Sequence, residues 1–233
     1  MIFGGCGAFA ILLNEVKPLL KTIIWDFNGT LIDDAPGVLE LNNRVYPKYG
    51  AKPFESLEAY RRVFRFPIRE YYRDVGIGDD VFDAAAHDWS KGYKELAPSF
   101  PLRQGVQEAV ADFRAAGLDQ VLISASELAF LLKQLTFYPE IKGAFSKVLG
   151  LDNIYAKSKT HLAQAYIQAQ GLAADEMVLI GDTMHDAEVA REIGCPCLLV
   201  EGGHQARETL ETAGVPVFQS LYEVAEYILH HLK

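Results

Sequence analysis

Six short apolar runs recur along the chain: TIIWDF at 22–27, DQVLIS at 119–124, SKVLG at 146–150, MVLIG at 177–181, CLLV at 197–200 and VPVF at 215–218. Helical patterns lie between most of them. In Arg103–Gly117, for example, Val106, Ala109, Val110 and Phe113 recur at helical spacing, and Gly117 is placed to end the helix. Strands that are apolar throughout are covered on both faces, and strands that alternate with helices pair in parallel. The expected class is therefore α/β, with right-handed connections and ligands at the carboxyl ends of the strands.

One segment breaks the alternation. From Ala35 to about Pro101 no strand pattern occurs, only helical stretches punctuated by Pro47, Gly50, Pro53, Pro67, Gly76, Gly78 and Pro98. This reads as an all-helical insertion over 35–101, set into a core made of 1–34 and 102–233. A chain of 233 residues suits a core with a smaller insertion, and a hydrophobic content of 50% is ample to fill it.

A net charge of −9 argues against general binding to nucleic acid or a membrane surface, since such binders need a positive field. An anionic substrate would need local help from a metal ion or clustered arginines. Cys6, Cys195 and Cys197 are too few and too oddly placed for a disulfide framework, so a reducing cytoplasm is expected. Cys195-Pro196-Cys197 leads directly into an apolar run and reads as the entry to a buried strand. The opening MIFGGCGAFAILLNEVKPLL is apolar, but its run is too short to span a bilayer and no basic residue precedes it. It is expected to pack on the body as an extension, or to reflect an upstream start codon.

Chemistry concentrates at the strand ends. In IIWDFNGTLIDD an apolar run ends on Asp26, and in LIGDTMHDAEVA another ends just before Asp182, with Asp186 four residues on. Buried carboxylates brought together raise one another's pKa or recruit a cation, and a hard, oxygen-loving ion such as Mg²⁺ would relieve the repulsion. Asp182 alone could be a helix N-cap; two strands ending alike weaken that reading. In VLISASE, Ser124 and Ser126 stand at a third strand end beside a helix start, where hydroxyl and N–H groups can bind a phosphoryl oxygen. AKSKTHLAQAY offers Lys157 and Lys159 ahead of another helix.

In this order the elements resemble the haloacid dehalogenase superfamily of hydrolases: DFNGT for its first motif, LISAS for the second, a lysine near KSK for the third and GDTMHD for the fourth. The resemblance spans about Thr22 to Val200 and looks most like the phosphoglycolate phosphatase-like branch. It implies a Rossmann-like core, a helical cap inserted after the first motif, and Mg²⁺-dependent hydrolysis of a small phosphorylated metabolite through a phosphoaspartyl intermediate. By position, Asp26 would be the nucleophile and Ser124 a phosphate ligand, with Thr30 and Ala125 beside the substrate. Asp26, Asp182, Asp186 and the backbone carbonyl of Asn28 would hold the metal. Lys159 is the preferred charge-balancing lysine because it lies nearest the helix start; Lys157 remains open.

The chain departs from the pattern at Asn28. Phosphatases of this family carry an aspartate there that protonates the leaving group and later activates water. An amide can hydrogen-bond but cannot exchange a proton at neutral pH, and general acid-base help is worth typically about 10²–10⁴-fold. Slow hydrolysis of alkyl esters is the expectation. Two alternatives stand beside it. One is a phosphonate C–P hydrolase, which would need a cap lysine such as Lys48, Lys52, Lys91 or Lys94. The other is a catalytically weak phosphate-binding relative. In the cap, YRRVFRFPIREYYRD gathers Arg61, Arg62, Arg65, Arg69 and Arg73. Arg65 and Arg69 are candidates for gripping the substrate's remote end, although nearby Glu58, Glu70 and Asp74 equally suit a salt-bridged helix face. His185 and His204 lie near the fourth motif and beyond the fifth apolar run, without metal-ligand spacing.

Overall fold

The computed structural model describes residues 19–155 and 158–232. The opening segment through Pro18, including Cys6, and the alternative lysine Lys157 lie outside the described residues. Strand β1 (Thr22–Trp25) is followed by helices α1 (Ala35–Val45), α2 (Leu57–Val63), α3 (Ile68–Asp74) and α4 (Phe82–Leu96), with no strand among them. Then come α5 (Val106–Ala115), β2 (Asp119–Glu127), α6 (Leu128–Leu135), β3 (Lys147–Leu151), α7 (Thr160–Gln170) and β4 (Met177–Gly181). The chain continues through α8 (Met184–Ile193), β5 (Cys197–Val200), α9 (Arg207–Glu211), β6 (Val217–Phe218) and α10 (Leu221–Tyr227). All six apolar runs form strands of one parallel sheet, in the order β3-β2-β1-β4-β5-β6.

The runs are apolar throughout because both faces of the sheet are covered. Ile23, Trp25, Leu122, Val178 and Ile180 belong to one buried cluster, shared with Phe113 of α5, Leu131 of α6 and Val224 of α10. The intervening Ile24, Val121, Ile123 and Leu179 belong to a second, shared with Ala163 of α7, Val189 of α8 and Leu210 of α9. Alternate side chains of a strand point to opposite faces, so the consecutive residues Ile23, Ile24 and Trp25 of β1 are all apolar. Cys197 opens β5, and both Cys195 and Cys197 are buried free thiols.

Register fixes the site. Trp25 pairs with Leu122 of β2 and Ile180 of β4, so β1 leaves the sheet at its centre, level with the end of β4. Asp26 N donates to Ile180 O at 2.9 Å and is the last tie to the neighbouring strand. β1 thus ends earlier than its apolar run suggests. β2 runs further, to Glu127, with a register shift between Ile123 and Glu127 that carries Ser124–Ser126 along the same edge.

Candidate active site

After Asp26 the chain turns tightly, with Leu31 N returning to Phe27 O at 2.9 Å. Gly29 makes the turn possible at φ +71°, and a Cβ there would stand 2.3 Å from Asp182 Oδ2. The turn delivers Thr30, whose hydroxyl donates to Asp182 Oδ1 at 2.8 Å. Asp182 Oδ2 accepts the His204 backbone N–H at 2.6 Å. The N-cap of α8 is Thr183, and Asp186 accepts from its N–H at 3.0 Å and its hydroxyl at 2.7 Å. Asp182 is thereby left free of the capping role and turned inward.

Asp26, Asp182 and Asp186 are all buried, and their carboxylate oxygens lie within 4.8 Å of one another. The buried Lys159 ammonium contacts Asp26 and stands 2.6 Å from Asp186 Oδ1. Three carboxylates face one ammonium. Burial, opposed by Lys159 and reinforced by Asp186 and Asp182, pushes Asp26 up to about 8. Burial also leads the upward shift of Asp182. For Lys159, burial is outweighed by Asp186 and Asp26, which hold it charged. Apart from that ion pair, no hydrogen bond from the described residues reaches Asp186 Oδ1. A surplus of buried carboxylate oxygen suits a hard divalent cation such as Mg²⁺, which favours oxygen ligands and offsets their charge.

This arrangement has a pH signature. A carboxyl whose folded pKa is raised contributes stability below its unfolded pKa and loses it as pH climbs through the folded value. For Asp26 that window runs from 3.8 to about 8. His204, raised from 6.5 to about 9, loses stability in the same direction over its own window. Thermal melts in chelator should therefore show Tm falling as pH rises from 6 to 9. Added Mg²⁺ should raise Tm more at pH 8.5 than at pH 6, because it replaces the proton on Asp26. An equal or opposite increment would show that the carboxylates are not the metal site.

Asn28 is held from all sides. Its Nδ2 donates to Asp34 Oδ2 at 2.9 Å and lies 2.5 Å from Tyr93 Oη, and its Oδ1 accepts from Ser126 Oγ at 2.8 Å. Asp34 also accepts from Gly29 N at 2.8 Å, from Tyr93 at 2.7 Å and from His204 Nε2 at 3.1 Å. His204 Nδ1 meets Tyr60 Oη of α2 at 2.8 Å. Burial alone would raise Asp34, but the His204 imidazolium with Asn28 and Tyr93 holds it low. Burial would lower His204, but Asp34 prevails and lifts it to about 9. The pair is a buried salt bridge joining the turn after β1 to the loop after β5. Arg61 of α2 fastens the same loop, donating to Gly203 O at 2.8 Å and Gly202 O at 2.5 Å.

Asp26, Asn28, Ser124, Ala125, Lys159 and Asp186 line one cavity of about 160 Å³ beneath the helices of the insertion. Asp182 stands directly behind, within the carboxylate cluster. Ser124 Oγ accepts from Ser126 N at 3.1 Å and is otherwise turned toward Asn28. Three expected substrate-binding residues are placed elsewhere. Thr30 is fully buried and bound to Asp182, so it aligns a carboxylate instead of meeting substrate. Arg65 pairs with Asp74 at 2.6 Å and Glu70 at 2.6 Å, and Arg69 with Asp79 at 3.0 Å, all on half-exposed side chains outside the cavity. Acidic residues five to ten positions away capture both guanidinium groups. Arg65→Ala and Arg69→Ala should leave KM within about twofold of the parent, since exposed pairs contribute little and touch no substrate. A severalfold rise in KM for either would return it to the binding site.

Of the four cap lysines considered, Lys94 alone lines the cavity, and its ammonium is paired with Glu127 at 2.8 Å. Asp34, Tyr60 and Tyr93 escaped sequence reasoning. Asp34 lies in the very stretch that exposes Asp26, but nothing local tells a buried acid from a helix N-cap. His185 also lines the cavity, stacked on Phe66 with ring centroids 4.7 Å apart and its Nε2 unpartnered.

Residues 23–200 match the haloacid dehalogenase-like hydrolase family. The chain belongs to that family. It is similar to phosphoglycolate phosphatases from Synechococcus elongatus, 25% identical with 83% of this chain and 90% of the relative covered, and from Yersinia pestis, 27% identical with 83% and 86% covered. Among solved structures, a haloacid dehalogenase-like hydrolase from Streptococcus pneumoniae shares the fold with a TM-score of 0.77 at 19% identity, over 90% of this chain and 98% of that one. Among the described residues, no helix is long and apolar enough to cross a membrane.

Proposed function

We propose that this phosphatase-like hydrolase releases phosphate from a small phosphorylated metabolite through a covalent phosphoaspartyl intermediate on Asp26, with Mg²⁺ at Asp182 and Asp186. The convergence of Asp26, Asp182, Asp186 and Lys159 at the centre of the sheet's carboxyl edge carries this reading. Asp26, Asp182 and Asp186, with the backbone carbonyl of Asn28, would hold the cation. When bound, it would draw phosphoryl oxygens toward Asp26 and offset their charge.

The chain's own residues supply the rest. One Asp26 carboxylate oxygen attacks phosphorus, and Lys159 balances the negative charge gathered beside it. Ser124, Ala125 and Ser126 line the phosphate's side of the cavity. The helices over 35–101 act as a cap that closes over the site, with Tyr60 and Arg61 gripping the loop after β5. Asn28 cannot pass a proton to a departing alkoxide, so alkyl esters react slowly. The same residue cannot activate water, so hydrolysis of the intermediate is slow as well. The purified chain should release more than one equivalent of phosphate per site with Mg²⁺ and none in chelator. Binding of phosphate without turnover would identify a non-catalytic relative instead.

The C–P hydrolase reading rests on Lys94 reaching the cavity. That Nζ is engaged by Glu127 at 2.8 Å, so Schiff-base chemistry there would first have to break this contact.

A further inference from the structure

The cavity is unlike one built for a small anion. Eleven aromatic side chains line it, among them Phe64, Phe66, Tyr71, Phe82 and Trp89 from the cap and Phe130 from α6. Among the described residues, no arginine lines it. Of the two described lysines that line it, Lys159 is bound by Asp26 and Asp186, and Lys94 by Glu127. A carboxylate or second phosphate on the substrate would find no free cationic partner among the described residues, and an aromatic ring does not offset the cost of burying it.

Size narrows the choice further. The cavity's volume of about 160 Å³ is of the order that accommodates a benzene ring in a protein interior. A nucleotide or a sugar chain would not enter it closed. Walls of this kind hold flat apolar groups through offset and edge-to-face ring contacts. The lining rings already pack in that manner: Phe64 meets Tyr71 at 5.2 Å and 66°, and Trp89 stacks on Tyr93 at 5.1 Å and 17°.

Asn28 points the same way through different chemistry. An apolar alkyl phosphate would satisfy the walls but would leave as an alkoxide that needs a proton. A phenol ionises near pH 10, so its oxide departs without protonation. We propose that the substrate is a phosphate monoester of a phenol, its ring seated among the cap aromatics and its phosphate on Asp26. This rests on the phosphoaspartyl reading above. An Asp26 oxygen forms the new bond to phosphorus while the bond from phosphorus to the aryl oxygen breaks, and the electron pair leaves with the phenolate, which takes its proton from water. A second water then releases inorganic phosphate and returns the Asp26 carboxylate.

The test compares kcat/KM, with Mg²⁺, for phenyl phosphate, 2-phosphoglycolate and hexafluoroisopropyl phosphate, the last an alkyl ester whose leaving group matches phenol in acidity. Acetyl phosphate, activated but without a ring, reports whether Asp26 chemistry operates at all. Phenyl phosphate should exceed 2-phosphoglycolate by at least about 100-fold and the matched alkyl ester by about tenfold, a selectivity ordinary for apolar pockets. Phe66→Leu should lower the phenyl-to-acetyl ratio of kcat/KM severalfold; since both substrates share the folded site, a folding defect alone would leave the ratio in place. If 2-phosphoglycolate equals phenyl phosphate, or the matched alkyl ester does, the aryl assignment is wrong although the phosphatase reading stands. If acetyl phosphate is not hydrolysed, or Asp26→Ala hydrolyses it undiminished, the phosphoaspartyl reading fails and this proposal with it.

Discussion

Asp26→Ala should abolish phosphate release, lowering turnover by at least about 10⁴-fold, as loss of a nucleophile does in other covalent hydrolases. The side chain is the one carboxylate of the cluster that stands at the end of β1 and also lines the cavity in contact with Lys159. Neither neighbour can take its place. Asp182 is held by Thr30 and the His204 backbone, and Asp186 is spent on capping α8. The substitution should not unfold the protein. In metal-free conditions it removes a buried acid whose ionisation is opposed by burial, which Lys159 only partly offsets, and by Asp186 and Asp182, so the melting temperature in chelator at pH 8 should equal or exceed that of the parent. A variant that is well folded by this criterion and still turns over at a comparable rate would overturn the mechanism.

The fold was legible because both faces of the sheet are covered. Residues such as Ile23 and Ile24 serve opposite clusters, which forces apolar character at consecutive positions and makes each strand visible as a run. Asp26 and Asp182 were legible for the converse reason: a carboxylate at the end of such a run is expensive unless it has a task. The wall of the cavity was not legible. Tyr60, Phe64, Tyr71, Phe82 and Trp89 come from different helices and the turns between them, and a periodic pattern says which face is buried but not what it is buried against. The arginine cluster shows the same limit. Its neighbouring acids were visible in the sequence, but only the folded turn after α3 brings Asp79 to Arg69 and Arg73. Asp34 is the hardest case, since its partners Tyr93 and His204 lie 59 and 170 residues away.

Asn28→Asp should raise kcat/KM for alkyl phosphates by about 10²–10⁴-fold, the usual worth of general acid-base help, and for aryl phosphates by less than about tenfold. The environment makes this more than a change of name. In the parent, the amide matches its surroundings group for group: N–H toward the Asp34 carboxylate, oxygen toward Ser126. Replacing Nδ2 by oxygen sets a second, half-buried carboxylate about hydrogen-bond distance from the buried Asp34 oxygen. Two such groups cannot both ionise, so one proton is shared between them and the new acid's pKa rises. A carboxyl that keeps its proton near neutral pH is the form a departing alkoxide requires. The gain should therefore fade at alkaline pH, once the shared proton is lost. Gly29 N–H is bound to Asp34 at 2.8 Å and the amide is held on both sides, which withholds the backbone nitrogen that deamidation of an Asn-Gly step needs. Peptide mass measurement on fresh protein should find Asn28 intact, so that activity in the parent is its own. The ratio of alkyl to aryl kcat/KM is the quantity to compare, because it reports cleavage of the ester bond and cancels differences in active concentration. If the parent already hydrolyses alkyl phosphates as fast as aryl ones and the aspartate variant is slower, a group other than residue 28 delivers the proton, and the amide is part of a working acid-base arrangement instead of the gap in one.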